Sequence, residues 1–351
     1  MDLNFLYKLF LFGLFLFFGF AITNHFYKLF NLKFFFKQHN SVQNIVRENI
    51  PRLGGAIIYL SIFLFYFINY SFDFVSLLFI SYLLIFIVSF AEDLYFNVNP
   101  LLRLCSIFVC AFIFLYFSNI NLSLINIPFK YLFNDNFLLF LFFYAICIAA
   151  LTNGMNIIDG TNGLTVISFS FSIFFLLLLA IEFNNFTFFN FYLLLLISSM
   201  IFILFNFPLG KIFLGDCGAY FFGYTLSIVV IIFYIQNNHL SSYGAILLIF
   251  YPIMEVLFSY LRKLILRKSP FKPDGKHLHL MIFNFLSKKF KNDKLANNLT
   301  TICLLPLAIS GPIIFYYFFD NSFVIIPSIL FLVFLYFLYY FFFNFCINYH
   351  E

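Results

Sequence analysis

The chain is a succession of long apolar runs divided by short polar connectors. A helix needs about 20 apolar residues to cross a bilayer, and about eleven runs meet that length. They lie near 3–23, 53–70, 75–91, 101–117, 136–152, 163–182, 188–206, 218–236, 243–261, 299–319 and 323–345. The runs are continuous, whereas barrel strands would alternate. Backbone donors in lipid need partners within their own segment, so each run is expected to be a helix. The pattern predicts an all-α polytopic integral membrane protein, folded as a single transmembrane domain over 1–351.

The connectors divide the cations unequally. Sixteen of the nineteen Lys and Arg fall in connectors on one side: Lys28, Lys33, Lys37, Arg47, Arg52, Lys211 and ten within 262–298. Lys8 and Lys130 fall on the other side, and Arg103 lies just inside the fourth run at its basic end. The positive-inside rule makes the basic side cytoplasmic, with the N-terminus out and the C-terminus in. The basic connector 262–298 suits anionic headgroups or a phosphate-bearing ligand. It offers no element that reads a nucleic-acid groove.

Composition agrees with the pattern. Apolar residues make up 64% and charged residues 9%, against about 45–50% and about 25% in soluble domains. Neither a water-soluble globule nor a disordered chain fits. The 64 Phe and no Trp read as codon bias, with Phe as lipid-facing filler. The six cysteines form no C-x-x-C pair and read as small hydrophobes, with neither a disulfide framework nor a zinc site. The first run lacks a small-residue cleavage motif and reads as a retained helix.

Against this background four polar blocks stand out, because ionisable groups at span ends are functional candidates. Glu92-Asp93 pairs two carboxylates at the inner end of the third run. Such neighbours repel unless a cation or a proton transfer uses them. Solvated end charges are the plainer reading. Asn153 to Leu164 carries three Asn, one Asp and three Gly between two apolar runs. Oxygen donors such as Asn156 and Asp159 suit Mg²⁺, and Gly allows close ligand approach; a tight helix–helix turn uses the same residues. Phe213 to Gly218 places Asp216 where it can cap the next helix or bind a metal. In Lys268 to Leu280, Pro270, Pro273 and Gly275 predict a loop. There His277 and His279 would share a face only in extended structure. With Lys276 they suit an anionic ligand, and a solvated loop is the alternative.

Together these blocks, with Pro51-Arg52-Leu53-Gly54-Gly55, resemble the polyprenyl-phosphate N-acetylhexosamine-1-phosphate transferases of glycosyltransferase family 4. Order, spacing and membrane side all agree over about 50–285. Ser269 to Asp274 with His277-Leu278-His279 looks like the N-acetylhexosamine branch; the phospho-MurNAc-pentapeptide translocase branch has three consecutive histidines there. The resemblance implies transfer of an N-acetylhexosamine-1-phosphate from a UDP-sugar to undecaprenyl phosphate, releasing UMP. It also implies a Mg²⁺ requirement with Mn²⁺ as a substitute, a bacterial inner-membrane location, a role in initiating envelope polysaccharide such as O-antigen, and a tendency to form homodimers. By motif position, Asp216 and Asn156 would hold the metal. Asp93, with Glu92, would bind or deprotonate the lipid phosphate, and Asp159 would be a second catalytic acid. Asn162 and Phe213 would hold uracil. His277, His279 and Lys276 would contact diphosphate or sugar, and Arg103 a phosphate. The chain departs from the pattern at Glu92, where Asp is usual, at Gly275, where a basic residue is usual, and at Leu280, where His is usual. The competing readings are a lipid transporter, whose site would lie near the midplane, and a family member that has lost activity.

Overall fold

The computed structural model describes residues 3–29, 50–70, 73–94, 98–128, 130–133, 136–269 and 274–349. Lys33, Lys37, Arg47 and Lys272, together with 270–273 of the Ser269–Asp274 stretch, lie outside the described residues. Among those described there are thirteen α-helices, two short 3-10 turns and no strand. In chain order the first eight are α1 (Leu3–Leu29), α2 (Gly54–Asn69), α3 (Phe74–Leu94), α4 (Pro100–Phe117), α5 (Phe137–Ile158), α6 (Leu164–Glu182), α7 (Phe189–Asn206) and α8 (Gly215–Gln236). They are followed by α9 (Gly244–Leu248), α10 (Phe250–Ile265), α11 (Leu278–Phe290), α12 (Asp293–Phe318) and α13 (Ser322–Tyr349).

Nine of the described helices are long and apolar enough to cross a membrane, and α2 is a shorter apolar helix of 16 residues. Three expectations are corrected. The run 243–261 is two helices, α9 and α10, broken at Ile249 (φ −121°, ψ 20°). The connector 262–298 is largely helical, because α10 runs on to Ile265, α11 lies inside it and α12 starts at Asp293. The Asn153–Leu164 block is mostly the last turns of α5, which ends at Ile158. In the last two cases polar residues suggest a loop where tertiary packing continues a helix; in the first, apolar continuity hides a break in the backbone.

Helix α8 is the centre of the bundle. It packs against α5, α3, α2 and α6, and nearly all of its length is buried. Helices α1 and α13 are peripheral, with most of their surface outside the core. Lipid is as apolar as these side chains, so burial alone gives little drive for helix association. Close backbone approach and buried hydrogen bonds supply it. A Cβ on Gly55 would sit 2.0 Å from Gly218 Cα, and one on Gly223 would sit 2.5 Å from Thr152 Cα. Polar bridges tie the same helices. Tyr82 Oη donates to Cys217 O at 2.5 Å, Tyr224 Oη donates to Cys110 O at 3.2 Å, and Tyr224 Oη and Ser81 Oγ lie 2.8 Å apart.

Phe is not only filler. Phe323 and Phe67 are widely exposed, but Phe20, Phe79, Phe114, Phe169 and Phe202 are fully buried. Phe169 and Phe222 stack at 4.2 Å and 14° between α6 and α8. All six cysteines are free.

The α2–α8 contact leaves no room for a methyl group. Gly55→Ala is expected to cost roughly 1–3 kcal/mol through overpacking and to lower the melting temperature in detergent. Gly13→Ala, whose nearest neighbour would be Ile201 Cδ1 at 3.5 Å, should leave the melting temperature unchanged. Equal melting of the two variants would refute the close-approach account.

Candidate functional site

Four helix ends meet at one end of the bundle: the start of α2, the end of α3, the end of α5 and the start of α8. The first amides of a helix have no partner inside it. At α8 the partner comes from another helix. Asp93, 1% exposed, accepts the Asp216 amide on Oδ1 at 2.9 Å and the Cys217 amide on Oδ2 at 3.0 Å. A negative group at a helix N-terminus is favoured by the helix dipole as well. Gly215 makes this approach possible: its φ is +77°, and a Cβ there would lie 2.7 Å from Asp93 Oδ2. Helix α2 is capped by backbone instead. Gly54 N donates to Phe213 O at 3.0 Å, Gly55 N donates to Leu214 O at 2.8 Å, and Phe213 N donates to Pro51 O at 2.9 Å. The Pro51–Gly55 block is therefore a splice that holds the Phe213–Gly218 block in place. The Phe213 ring is half-buried beside it.

Asp93 thus spends both oxygens on the backbone that carries Asp216. Asp216 itself is about one-fifth exposed and pairs with Arg103, Nη1 to Oδ2 at 2.7 Å. The Arg103 Nε is buried with no hydrogen-bond partner among the described residues. Glu92 accepts the Val98 amide on Oε2 at 2.6 Å and so closes the turn between α3 and α4. It lies within electrostatic reach of Arg103. The fourth run thereby brings its single cation to the acid pair of the third.

Asp159 caps the C-terminal end of α5, its amide donating to Asn156 O at 3.3 Å. Burial pushes its carboxyl well above the usual carboxylate range. The nearby Thr165 hydroxyl and Arg52 charge oppose that rise, and the Asp216 charge adds to it. Asn156 lies half-buried in the last turn of α5. Asn162 is only 5% exposed. Its amide donates to Asn297 Oδ1 at 2.8 Å, its Nδ2 donates to Asn298 Oδ1 at 3.4 Å, and its carbonyl accepts from Thr301 Oγ1 at 2.7 Å. Gly163, at φ +82°, donates its amide to Asn206 Oδ1 at 2.6 Å. The α5–α6 turn is therefore held by α12 and α7. The residues on α12 that do this lie outside the blocks the sequence singled out.

The histidines are placed differently from expectation. His277 is the N-cap of α11 and His279 lies within that helix, yet the rings stack at 5.7 Å and 19°. This is possible because His277 keeps extended backbone (φ −74°, ψ 146°) while His279 is helical. His279 is 2% exposed, and its Nδ1 has no hydrogen-bond partner among the described residues. Burial lowers its pKa to about 4, His277 adding to the shift and Glu255 opposing it. At neutral pH the ring carries no charge to offer an anion. Lys276 is exposed.

Two residues organise this arm, Glu255, which sequence reasoning missed, and Arg262, which it counted only as one cation of the basic connector. Glu255, on α10 and 1% exposed, receives Leu278 N and Tyr251 Oη on Oε1, each at 3.1 Å, and faces His277 Nδ1 with Oε2 at 3.1 Å. Arg262 closes the loop on Asp274 through two contacts of 2.6 and 3.3 Å. Burial would raise the Asp274 carboxyl, but the Arg262 guanidinium and the Lys276 amide outweigh it and hold the group below its usual range. A lone Glu within an otherwise apolar helix was the available signal for the first of these.

The described residues hold no group of three or more His, Cys, Asp or Glu arranged around a metal ion. The donors still suit Mg²⁺, which binds through one or two carboxylates and completes its shell with water and substrate phosphate. Asp93, Asp159 and Asp216 lie within electrostatic reach of one another through Asp216. A divalent cation would relieve that repulsion.

The raised Asp159 pKa has a sign. Between the ordinary carboxylate pKa, about 4, and the raised value, the folded state keeps a proton that the unfolded state has lost. Stability from this group therefore falls as pH rises through that window. Asp159→Asn removes the burden. It should raise stability at pH 7 by about 1 kcal/mol, with the gain vanishing near pH 4, as read by melting at both pH values. A gain independent of pH would contradict this account.

The profile of glycosyl transferase family 4 matches residues 75–234. The undecaprenyl-phosphate alpha-N-acetylglucosaminyl 1-phosphate transferase of Thermotoga maritima is 31% identical over 137 residues, covering 39% of this chain and 41% of that one. A probable undecaprenyl-phosphate N-acetylglucosaminyl 1-phosphate transferase of Bacillus subtilis is 30% identical over 140 residues, covering 39% of each. The aligned stretches thus span about two fifths of these relatives' own length. The family match takes in Asp93, Asp159 and Asp216 and stops short of both the Pro51–Gly55 splice and the histidine arm. Through the helices α3 to α8 and the acidic end they build, the chain is similar to glycosyl transferase family 4.

Proposed function

We propose that the protein transfers an N-acetylhexosamine-1-phosphate from a UDP-sugar to undecaprenyl phosphate, at the cytoplasmic surface of a bacterial inner membrane. An oxygen of the lipid phosphate would bond to the sugar-bearing phosphorus. The bond from that phosphorus to the UMP oxygen would break, leaving a polyprenyl-diphospho-sugar and UMP. The observation that carries this reading is Asp216: a partly exposed carboxylate at the head of the central helix, fixed by Asp93 and paired with Arg103. It stands at the polar end of a bundle that is otherwise apolar, where a lipid and a water-soluble substrate can meet. The names of the two relatives support the lipid acceptor and the sugar-phosphate transfer.

Both substrates are anionic, so their approach must be neutralised. Asp216 and Asn156 would hold Mg²⁺, with Mn²⁺ as a substitute. Bound there, the ion would screen the diphosphate and stabilise charge on the transferring phosphoryl group. Arg103 would offer its guanidinium to phosphate once a cation takes its place on Asp216. Asp159 would serve as the second acid of the site. His277 and Lys276 would face diphosphate or sugar, and Phe213 and Asn162 the uracil. Asp93 acts by positioning, since a phosphate monoester is already largely ionised at pH 7, with a second pKa of about 6, and needs no strong base. Initiation of an envelope polysaccharide such as O-antigen, and assembly as a homodimer, belong to the same reading.

The test is transfer by purified protein given undecaprenyl phosphate, Mg²⁺ and a panel of labelled UDP-N-acetyl sugars, with UMP release as readout. Release should require lipid and cation, and Asp216→Ala should lower it by about a hundredfold or more, the scale of losing a key electrostatic group. No release with any sugar from folded protein would remove the proposal. Full activity in Asp216→Ala would remove that residue from the mechanism.

A further inference from the structure

Glu255 belongs to none of the blocks that carry the family resemblance and lies outside the matched region 75–234. It is nevertheless a buried carboxylate surrounded by hydrogen-bonding groups. Three hydrogens converge on it: the Leu278 amide and the Tyr251 hydroxyl on Oε1, and His277 Nδ1 on Oε2, each at 3.1 Å. Glu255 is 1% exposed and His277 5%. Two donors on Oε1 favour the ionised, acceptor-only form of Glu255, and a carboxylate in that form puts the hydrogen shared with His277 on Nδ1. This leaves Nε2 as the ring nitrogen open to a ligand. The Leu278 amide is the first of α11. The same side chain therefore caps α11 and orients the residue at its cap.

We propose that Glu255 is a positioning residue: it fixes the Nδ1–H form and the orientation of His277, so that Nε2 meets the diphosphate or sugar of the transferred group. The role rests on the transfer reaction proposed above. A partner that fixes the tautomer and orientation of a working histidine recurs in metal sites and catalytic triads. Here it is reached from a helix broken at Ile249, which brings α10 against the end of α5. A Cβ on Gly154 would sit 2.8 Å from Pro252 O. The arm is thereby registered against the helix that carries Asn156 and is capped by Asp159.

A cap alone would stabilise α11 and do no more, so the test must separate the two roles. Glu255→Gln keeps the shape and still accepts the Leu278 amide, but it can present an NH₂ to Nδ1 and so drive the hydrogen to Nε2. In full-length protein with ¹⁵N-labelled histidine, the His277 ring, assigned by its loss in His277→Ala, should change from the Nδ1–H to the Nε2–H signature. The kcat of UMP release should fall about tenfold or more with KM little changed, the pattern of an interaction made in the transition state. Glu255→Asp should keep the Nδ1–H signature and restore part of kcat, which guards against a Gln variant that folds poorly. In a His277→Ala background, Glu255→Gln should cost nothing further, because the two act as one unit.

Unchanged kcat in folded Glu255→Gln would overturn the proposal. So would a lost kcat with an unaltered His277 signature, or losses that add in the double variant. Absence of transfer by the wild-type protein would sink the reaction itself and this role with it. It is told apart from the other outcomes because the wild-type control alone decides it.

Discussion

A helix that begins inside an apolar bundle brings unpaired amides with it, and neither lipid nor packed side chains can accept them. Leaving one such group buried without a partner costs about 1–3 kcal/mol. At the polar end of this bundle several of these amides are met across helices, while α4 and α12 are capped locally by Asn99 and Asn292. Backbone carbonyls of residues 213 and 214 take the first amides of α2. Asp93 takes those of α8, Asn297 and Asn206 take those of the turn into α6, and Glu255 takes that of α11. Each amide met across helices ties two segments that are distant in sequence. The acids, amides and histidines at this end are held together largely by that requirement.

The same requirement explains why so many polar residues of the blocks turn inward. Asp93 and Asn162 are chemically apt for a substrate, yet both are hydrogen-bonded to protein groups. What remains partly open is Asp216 with Arg103, the half-buried Asn156 and Phe213, and the exposed Lys276. The bundle behaves as two shells. An inner set of Asp, Asn and Gly fixes backbone, and a smaller outer set is left for chemistry. Asp159 sits between them and is strained electrostatically, since burial raises its carboxyl well above the ordinary range. A site that gathers like charges is less stable than it could be, a trade-off common where function needs preorganised charge.

The helical class and most helix positions were legible because apolar runs of span length have few other solutions. The acidic residues at span ends were legible because a charge in so apolar a chain is conspicuous. What escaped was long-range or context-bound. Glu255 drew no notice because a single acid within an apolar run carries no local motif, and its partner lies 22 residues away. The clasp of Asp93 on the α8 amides spans more than 120 residues. Pro and Gly ahead of α11 mask its helical start, and the histidines stack because one ring sits on each side of a helix boundary. Asn297, Asn298 and Thr301 are ordinary helix polar residues in sequence, and only the packing of α12 on the α5–α6 turn gives them a role.

The central claim is that Asp93 builds the site by holding the backbone of Asp216, without itself touching a substrate or cation. The most direct measurement is divalent-cation binding, read as the Mn²⁺ electron paramagnetic resonance signal in the presence of a UDP-N-acetyl sugar, in wild-type protein and in Asp93→Asn. The substitution keeps the size of the side chain but turns an NH₂ toward one of the two amides. The account predicts that Mn²⁺ affinity falls well below wild type while the helical content of the protein is kept. Wild-type Mn²⁺ affinity in Asp93→Asn would contradict it.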